Sequence, residues 1–223
     1  MTFRNRRVPP QLNLVINNRS LEYTNTHKFL GIYIDENVNF KTHINKTSSK
    51  IASGLGMIRK ISHFVPSNIL IQLHYAFIHS RFTYALTAYG SVSHARKIEK
   101  LVNRSLKLCT GVDSLTTDFY RQNKLFNFST AHKYFCCIKM FQIMKLDMHQ
   151  FFSHKIRQSQ VESSRETRQN ILQNVRLPFM RSNKCQQSFL YVGTKFWNEL
   201  PLVVKNAASI KAFKSKLKQF YFS

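Results

Sequence analysis

The stretch HKFLGIYIDENVNF, His27 to Phe40, decides how the chain is divided. Phe29, Ile32, Tyr33 and Ile34 are aromatic or β-branched, Leu30 and Gly31 sit among them, and this composition predicts a short buried strand rather than a helical turn. A glycine inside such a strand signals that another backbone or a ligand comes close. Asp35-Glu36-Asn37 ends the strand as a polar turn. Working back towards the N-terminus, Leu12, Leu14 and Ile16 alternate around Asn13 and Val15, and Asn17-Asn18 supplies turn chemistry before Arg19-Ser20-Leu21. These residues predict a hairpin, with Phe29 to Ile34 as a third strand. The basic residues 3–10 end in Pro9-Pro10, which favours an extended entry.

From Lys41 the period changes. Ile44, Ser48, Ile51, Leu55, Ile58 and Ser62 recur at helical spacing, with Lys46 and Lys50 on another side. Gly54 and Gly56 weaken this helix unless one of them permits close packing. Pro66 allows a new helix start, and HSRFTYALTAY (79–89) is aromatic-rich and half buried. Residues 95–109 give the clearest amphipathic helix, with Ile98, Leu101, Val102, Ser105 and Leu108 in one stripe and Lys97, Lys100, Arg104 and Lys107 on a neighbouring face. Phe135, Ile138, Phe141 and Met144 form a further stripe. Residues 153–170, rich in Ser, Gln and alternating charge, read as a linker. After it, Ser209 caps a last helix carrying Ile210, Phe213, Leu217 and Phe220, with Lys211, Lys214 and Lys218 opposite. The fold class is thus α+β and predominantly α-helical, a small N-terminal antiparallel β-hairpin or sheet followed by a helical body. The divisions are 1–40, 41–152, a linker at 153–174, and a basic helical segment at 175–223.

The 223 residues carry 34 Lys and Arg against 10 Asp and Glu, a formal charge of +24. An excess of that size, spread over several elements, points to a polyanion, and to nucleic acid rather than a membrane surface. Adjacent Cys136-Cys137 read as small buried hydrophobes, and with no C-x-x-C spacing a zinc site has no support. The first residues lack the apolar core of a signal peptide, and no run is long enough to span a bilayer, so a nuclear or cytoplasmic location is expected.

The scarce carboxylates limit catalysis. Asp35-Glu36 is the one adjacent acidic pair, and neighbours on a strand face opposite ways, so a turn role explains them better than a metal site. Glu162 and Glu166 fall in the linker beside Arg165 and Arg168. The nine histidines lack an H-E-x-x-H pattern, and neither a G-x-S-x-G elbow nor a phosphate-binding G-x-x-x-x-G-K-[ST] loop occurs. No catalytic, cofactor-binding or metal-ligating residue is therefore assigned. Aromatics interleaved with basic residues, as at Tyr75, Arg81, Phe82, Tyr84 and Tyr89, and at Lys195-Phe196-Trp197, offer stacking surfaces for bases, although in helices they more often fill cores. Trp197 reads as a pin for the last helix.

Five strings stand in an order that resembles the downstream part of reverse transcriptases of non-LTR retrotransposons, particularly the jockey-like group. They are HKFLGIYIDENVNFKTHI (27–44), SKIASGLGMIRKI (49–61), LHYAFIHSRFTYALTAYGS (73–91), ARKIEKLVNRSLKLCTG (95–111) and FLYVGTKFWNELPLVVKNAASIKAFKSKLKQF (189–220). The resemblance implies that Phe29, Leu30 and Gly31 lie just beyond the polymerase palm, where the primer end is positioned, and that the helices after Lys41 form a thumb-like body holding template-primer. Lys97, Lys100, Arg104 and Lys107 are then the candidate contacts to nucleic acid. The family's complete enzyme is an RNA-directed DNA polymerase that uses Mg2+ and an adjacent aspartate pair. This sequence contains no Asp-Asp pair, so the expectation is an incomplete derivative of a mobile element, inactive alone and binding at most RNA, DNA or an RNA–DNA duplex. The alternative is a basic RNA-binding or ribonucleoprotein interaction module with no polymerase role. An orphaned part of this kind would also expose apolar surface through which it could self-associate.

Overall fold

The computed structural model describes residues 14–146, 148, 152–154, 156 and 173–223. The expected extended entry with Pro9-Pro10 and Leu12, the pair Glu162 and Glu166, and most of the expected linker lie outside the described residues. Helices dominate, and the strands are confined to the N-terminal region. The chain divides into two packed units. One holds the described residues up to Ala85 together with Val92–Cys109, and the other holds Leu86–Ser91 and the described residues from Thr110 onward. The border between them falls within the 41–152 stretch.

In the first unit, β1 (Val15–Ile16) and β2 (Arg19–Ser20) pair antiparallel across Asn17-Asn18. Both turn residues have positive φ, 50° and 59°, as a two-residue turn that matches strand twist requires, and asparagine tolerates that region. The expected third strand is corrected. Phe29–Ile34 does not run as one buried strand but folds back at Leu30-Gly31, giving β3 (Thr26–Phe29) and β4 (Ile32–Asp35) in a second hairpin. The two hairpins are separate two-stranded sheets. Leu30 at φ 46° and Gly31 at φ 82° form the turn. Phe29 and Leu30 are 58% and 74% exposed, so the buried face belongs to β4, which packs on the first helix.

That helix, α1 (Lys41–Ile61), buries Ile44, Ser48, Ile51, Leu55 and Ile58 as the period predicts, with Lys46 and Lys50 outside. Asp35 Oδ1 accepts the backbone N–H groups of Asn37 and Asn39, each at 3.1 Å, and Asn39 Oδ1 accepts that of Lys41 at 2.9 Å. The polar turn thus feeds the chain into the helix. Next come α2 (Ser67–His74), a π-helical turn (Tyr75–His79) and α3 (Ser80–Thr83), all packed on α1. Gly54 is what lets them approach, because a Cβ there would lie 3.3 Å from both Cβ and the carbonyl oxygen of Phe77.

The second unit is built round a helix that is buried on several sides. Here α4 (Leu86–Tyr89) and α6 (Thr117–Gln122) accompany the long α7 (Phe128–Lys145). The expected single stripe on α7 is corrected: Phe135 and Met144 are only half buried, whereas Ala131, Tyr134, Cys136, Cys137, Ile138, Met140, Phe141 and Ile143 are buried on several sides. On it pack α9 (Phe189–Asn198) and α11 (Ile210–Phe222), while the short α8 (Asn183–Gln186) lies against α9 and α10 (Leu202–Lys205) against α11. Phe213 of α11 stacks on Phe141 at 4.3 Å and on Trp197 of α9 at 6.1 Å. The Trp197 indole N–H donates to the Gln173 carbonyl at 3.1 Å, and Asn198 exchanges two 2.8 Å bonds with the Val175 backbone. Trp197 is therefore core and not a stacking platform. Ser209 caps α11 through Ala212 N–H, and Phe213 and Leu217 are buried. Phe220, expected on the same stripe, is partly exposed, and the Tyr221 hydroxyl instead meets Cys137 Sγ at 3.6 Å.

The two glycines of α1 make opposite predictions. Nothing lies within 4 Å of a Cβ built on Gly56, so Gly56→Ala should raise stability to urea by about 0.5–1 kcal/mol by removing the entropy cost of ordering a glycine. Gly54→Leu should destabilise by about 1–3 kcal/mol, because the added atoms have no space at Phe77. Equal effects at the two sites would refute the packing assigned to Gly54.

Candidate nucleic-acid interface

The helix that carries the predicted basic face is α5 (Arg96–Thr110), entered through a 3₁₀ turn at Ser93–Ala95. Its buried residues are Ile98, Val102, Ser105, Leu106 and Cys109. Leu101 and Leu108, expected in the stripe, are only half buried, because the buried face is centred one position round the helix, on Leu106 and Cys109. The rotation is set by polar contacts in the interior. Ser105 Oγ and His74 Nδ1 share a 2.8 Å hydrogen bond, and Cys109 Sγ donates to the Leu70 carbonyl at 3.4 Å. Burying each aliphatic side chain of the stripe contributes on the order of 1.5–3 kcal/mol. Lys97, Lys100, Arg104 and Lys107 are consequently turned outwards, as is Arg96.

The predicted primer-positioning residues Phe29, Leu30 and Gly31 meet at the tip of the β3–β4 hairpin. The Tyr84 hydroxyl donates to the Leu30 carbonyl, and its ring lies 3.5 Å from where a Gly31 Cβ would be. The approach of a backbone or ligand expected at this glycine is corrected: the nearest atoms belong to the Tyr84 side chain at ordinary van der Waals distance, and the glycine is required by its positive φ.

Sequence reasoning missed the cations around Tyr33. In the hairpin register Lys28 stands opposite Tyr33, and the Lys28 ammonium lies 5.8 Å from the ring centroid. Lys46 of α1 lies 3.7 Å from the same centroid. Hydrogen bonding from Lys46 lowers the Tyr33 phenol pKa, and the charges of Lys46, Lys28 and Lys50 add to that against an opposing effect of desolvation. Among the described residues no carboxylate pairs with Lys28, Lys46 or Lys50. Lys97 Nζ donates to Asn45 Oδ1 at 3.0 Å, and Asn45 precedes Lys46, so the N-terminal end of the α5 face adjoins this cluster. The signal that could have found it is the Leu30-Gly31 turn: once the chain is folded back there, Lys28 and Tyr33 must face each other.

His74 and Ser105 resemble a base and a hydroxyl nucleophile, but they are 1% and 0% exposed and no substrate reaches them. Among the described residues no group of three His, Cys, Asp or Glu side chains is arranged to hold a metal. The Mg2+ of a polymerase does not fit among the described residues: Asp35 gives Oδ1 to its turn and leaves Oδ2 without a hydrogen-bond partner, but no group of three candidate ligands forms round it. Among the described residues no helix is long and apolar enough to cross a membrane. Comparison with protein-family models, curated proteins and solved structures gave no match.

Two buried imidazoles, His74 and His132, and the half-buried His79 give the protein an acid limit. Burial depresses His74, His79 and His132 to about 4 each, with His79 adding to the effect on His74. The unfolded chain takes up these protons near 6.5, whereas the native state does not until about 4. Stability is therefore full above pH 6.5 and falls as pH drops towards 4, by about 1.4 kcal/mol per pH unit for each histidine. Urea titrations at about pH 7.5, 6.0 and 5.0 should show this slope, and His132→Gln should flatten part of it. A midpoint that stays constant from neutral pH to about pH 5 would show that these rings are not buried neutral.

Proposed function

We propose that this chain is the primer-positioning and thumb-side part of a reverse transcriptase related to those of non-LTR retrotransposons, and that it holds a nucleic-acid strand or RNA–DNA duplex without itself extending a primer. The observation that carries this reading is the row of outward-facing cations on α5, Lys97, Lys100, Arg104 and Lys107, in a unit that also brings Lys28 and Lys46 together at Tyr33. The described carboxylates of the unit are only Glu22, Asp35, Glu36 and Glu99. A phosphate backbone laid on this row would release counterions at each neutralised phosphate, the dominant source of sequence-independent affinity. The hairpin tip with Phe29, Leu30 and Gly31 supplies the positioning element of this reading. Polymerisation is left out because the 223 residues contain no adjacent aspartate pair. Exposed helix backbone and lysine side chains with no base-reading loop give no preference between RNA and DNA, and the same surface would serve an RNA-binding module equally.

Binding of the purified protein to a labelled RNA–DNA primer duplex across a salt series tests the reading, with size-exclusion chromatography on the same sample. A monodisperse protein should bind saturably, with log K falling steeply against log salt. Lys100→Gln combined with Arg104→Gln should lower that slope by about 1.8, at about 0.9 for each phosphate that is no longer neutralised. A folded, monodisperse sample that does not bind at low salt would overturn the proposal.

A further inference from the structure

The Tyr33 cluster differs in kind from the α5 face. Along α5 the cations are spread from Lys97 to Lys107, a rise of about 15 Å, which suits successive singly charged phosphodiesters. At Tyr33 two ammonium groups from two elements are gathered round one ring, with Lys46 at 3.7 Å and Lys28 at 5.8 Å from its centroid. No carboxylate neutralises them among the described residues. Lys46 occupies a face of the ring, so Tyr33 serves to collect lysines rather than to stack a base. Each of these ammonium groups carries three N–H donors.

Resting on the reading of this unit as a nucleic-acid holder, we propose that Lys28 and Lys46, brought together at Tyr33, form a receptor for the terminal phosphomonoester of a nucleic-acid strand. A terminal phosphate carries about −1.5 to −2 at pH 7, against a single charge on each internal phosphodiester. It also presents three acceptor oxygens to compact, mobile ammonium donors. The Lys97–Asn45 bond then sets the geometry of the complex. The strand end is held at the hairpin, and the backbone leads away along α5.

The test is fluorescence anisotropy with one oligonucleotide labelled at its 3′ end and carrying either a 5′-phosphate or a 5′-hydroxyl. The phosphorylated strand should bind about tenfold more tightly, the size of one or two charge-assisted hydrogen bonds. Lys28→Gln with Lys46→Gln should abolish that ratio while leaving salt-dependent binding of both strands. Lys100→Gln with Arg104→Gln should weaken both strands in parallel and keep the ratio. Tyr33→Phe, which retains the ring, should reduce the ratio less than Tyr33→Ala. Equal affinity of the unaltered protein for both strands overturns the terminal-phosphate receptor and leaves the broader reading standing. A ratio that persists with undiminished affinity when the α5 cations are removed overturns the α5 interface and supports the receptor. Adenosine monophosphate competing as well as a short 5′-phosphorylated strand overturns the assignment to a strand end in favour of a free nucleotide.

Discussion

The hydrogen bond between His74 and Ser105 fixes which side of α5 meets solvent. Two polar groups in an apolar interior are tolerable only together, since separating them leaves each unsatisfied at a cost of about 1–3 kcal/mol. Any rotation of α5 that improved the burial of Leu101 or Leu108 would break this pair and the adjacent Cys109 to Leu70 hydrogen bond. The helix is therefore held with Ile98, Val102 and Leu106 inwards, and Lys97, Lys100 and Arg104 are turned outwards by consequence. The basic face is a surface specified from the interior, and its orientation survives the mutual repulsion of its own charges for that reason.

Such repulsion runs through the whole molecule. A chain at +24 stores unfavourable self-energy that a polyanion, if bound, would relieve. The first unit has few internal counter-charges to do the same work: the buried Asp35 turns one oxygen to the backbone of Asn37 and Asn39. In the second unit the Lys133–Glu199 pair at 3.4 Å and the Arg121–Asp118 pair at 3.9 Å are solvent-exposed and contribute little. There stability comes from apolar packing round α7, where Phe141, Phe213 and Trp197 form one stack and Gly193 brings α9 close to Met140.

The period of apolar residues made α1, α5 and α11 readable in the sequence, because each buries a single face and leaves the other wet. It failed at α7, which is covered on several sides and so has no stripe to read, and it failed by one residue position on α5, where a histidine on another helix decides the rotation. The polar turn after β4 and the Ser209 cap were legible because their chemistry is local. The packing of Gly54 against Phe77 depends on a partner remote in sequence, and no local rule distinguishes it from Gly56.

The largest misreading, at Phe29–Ile34, and the missed cluster at Tyr33 are one error. Apolar, β-forming residues on both sides of Leu30-Gly31 read as an uninterrupted strand, since leucine seldom adopts a positive φ. Gly31 takes the second left-handed position without a Cβ penalty, and the Tyr84 hydroxyl captures the Leu30 carbonyl, so the tertiary contact supports a turn that sequence preference would not place there. Once the chain reverses at that point the register is set, and every cross-strand pair with it. Thr26 faces Asp35, Phe29 faces Ile32, and Lys28 faces Tyr33. A slip of one residue would send Tyr33 to the opposite face, away from Lys46 and Lys50. The charge cluster thus depends on a tight turn, and the glycine that makes the turn possible governs the electrostatics of the neighbouring ring.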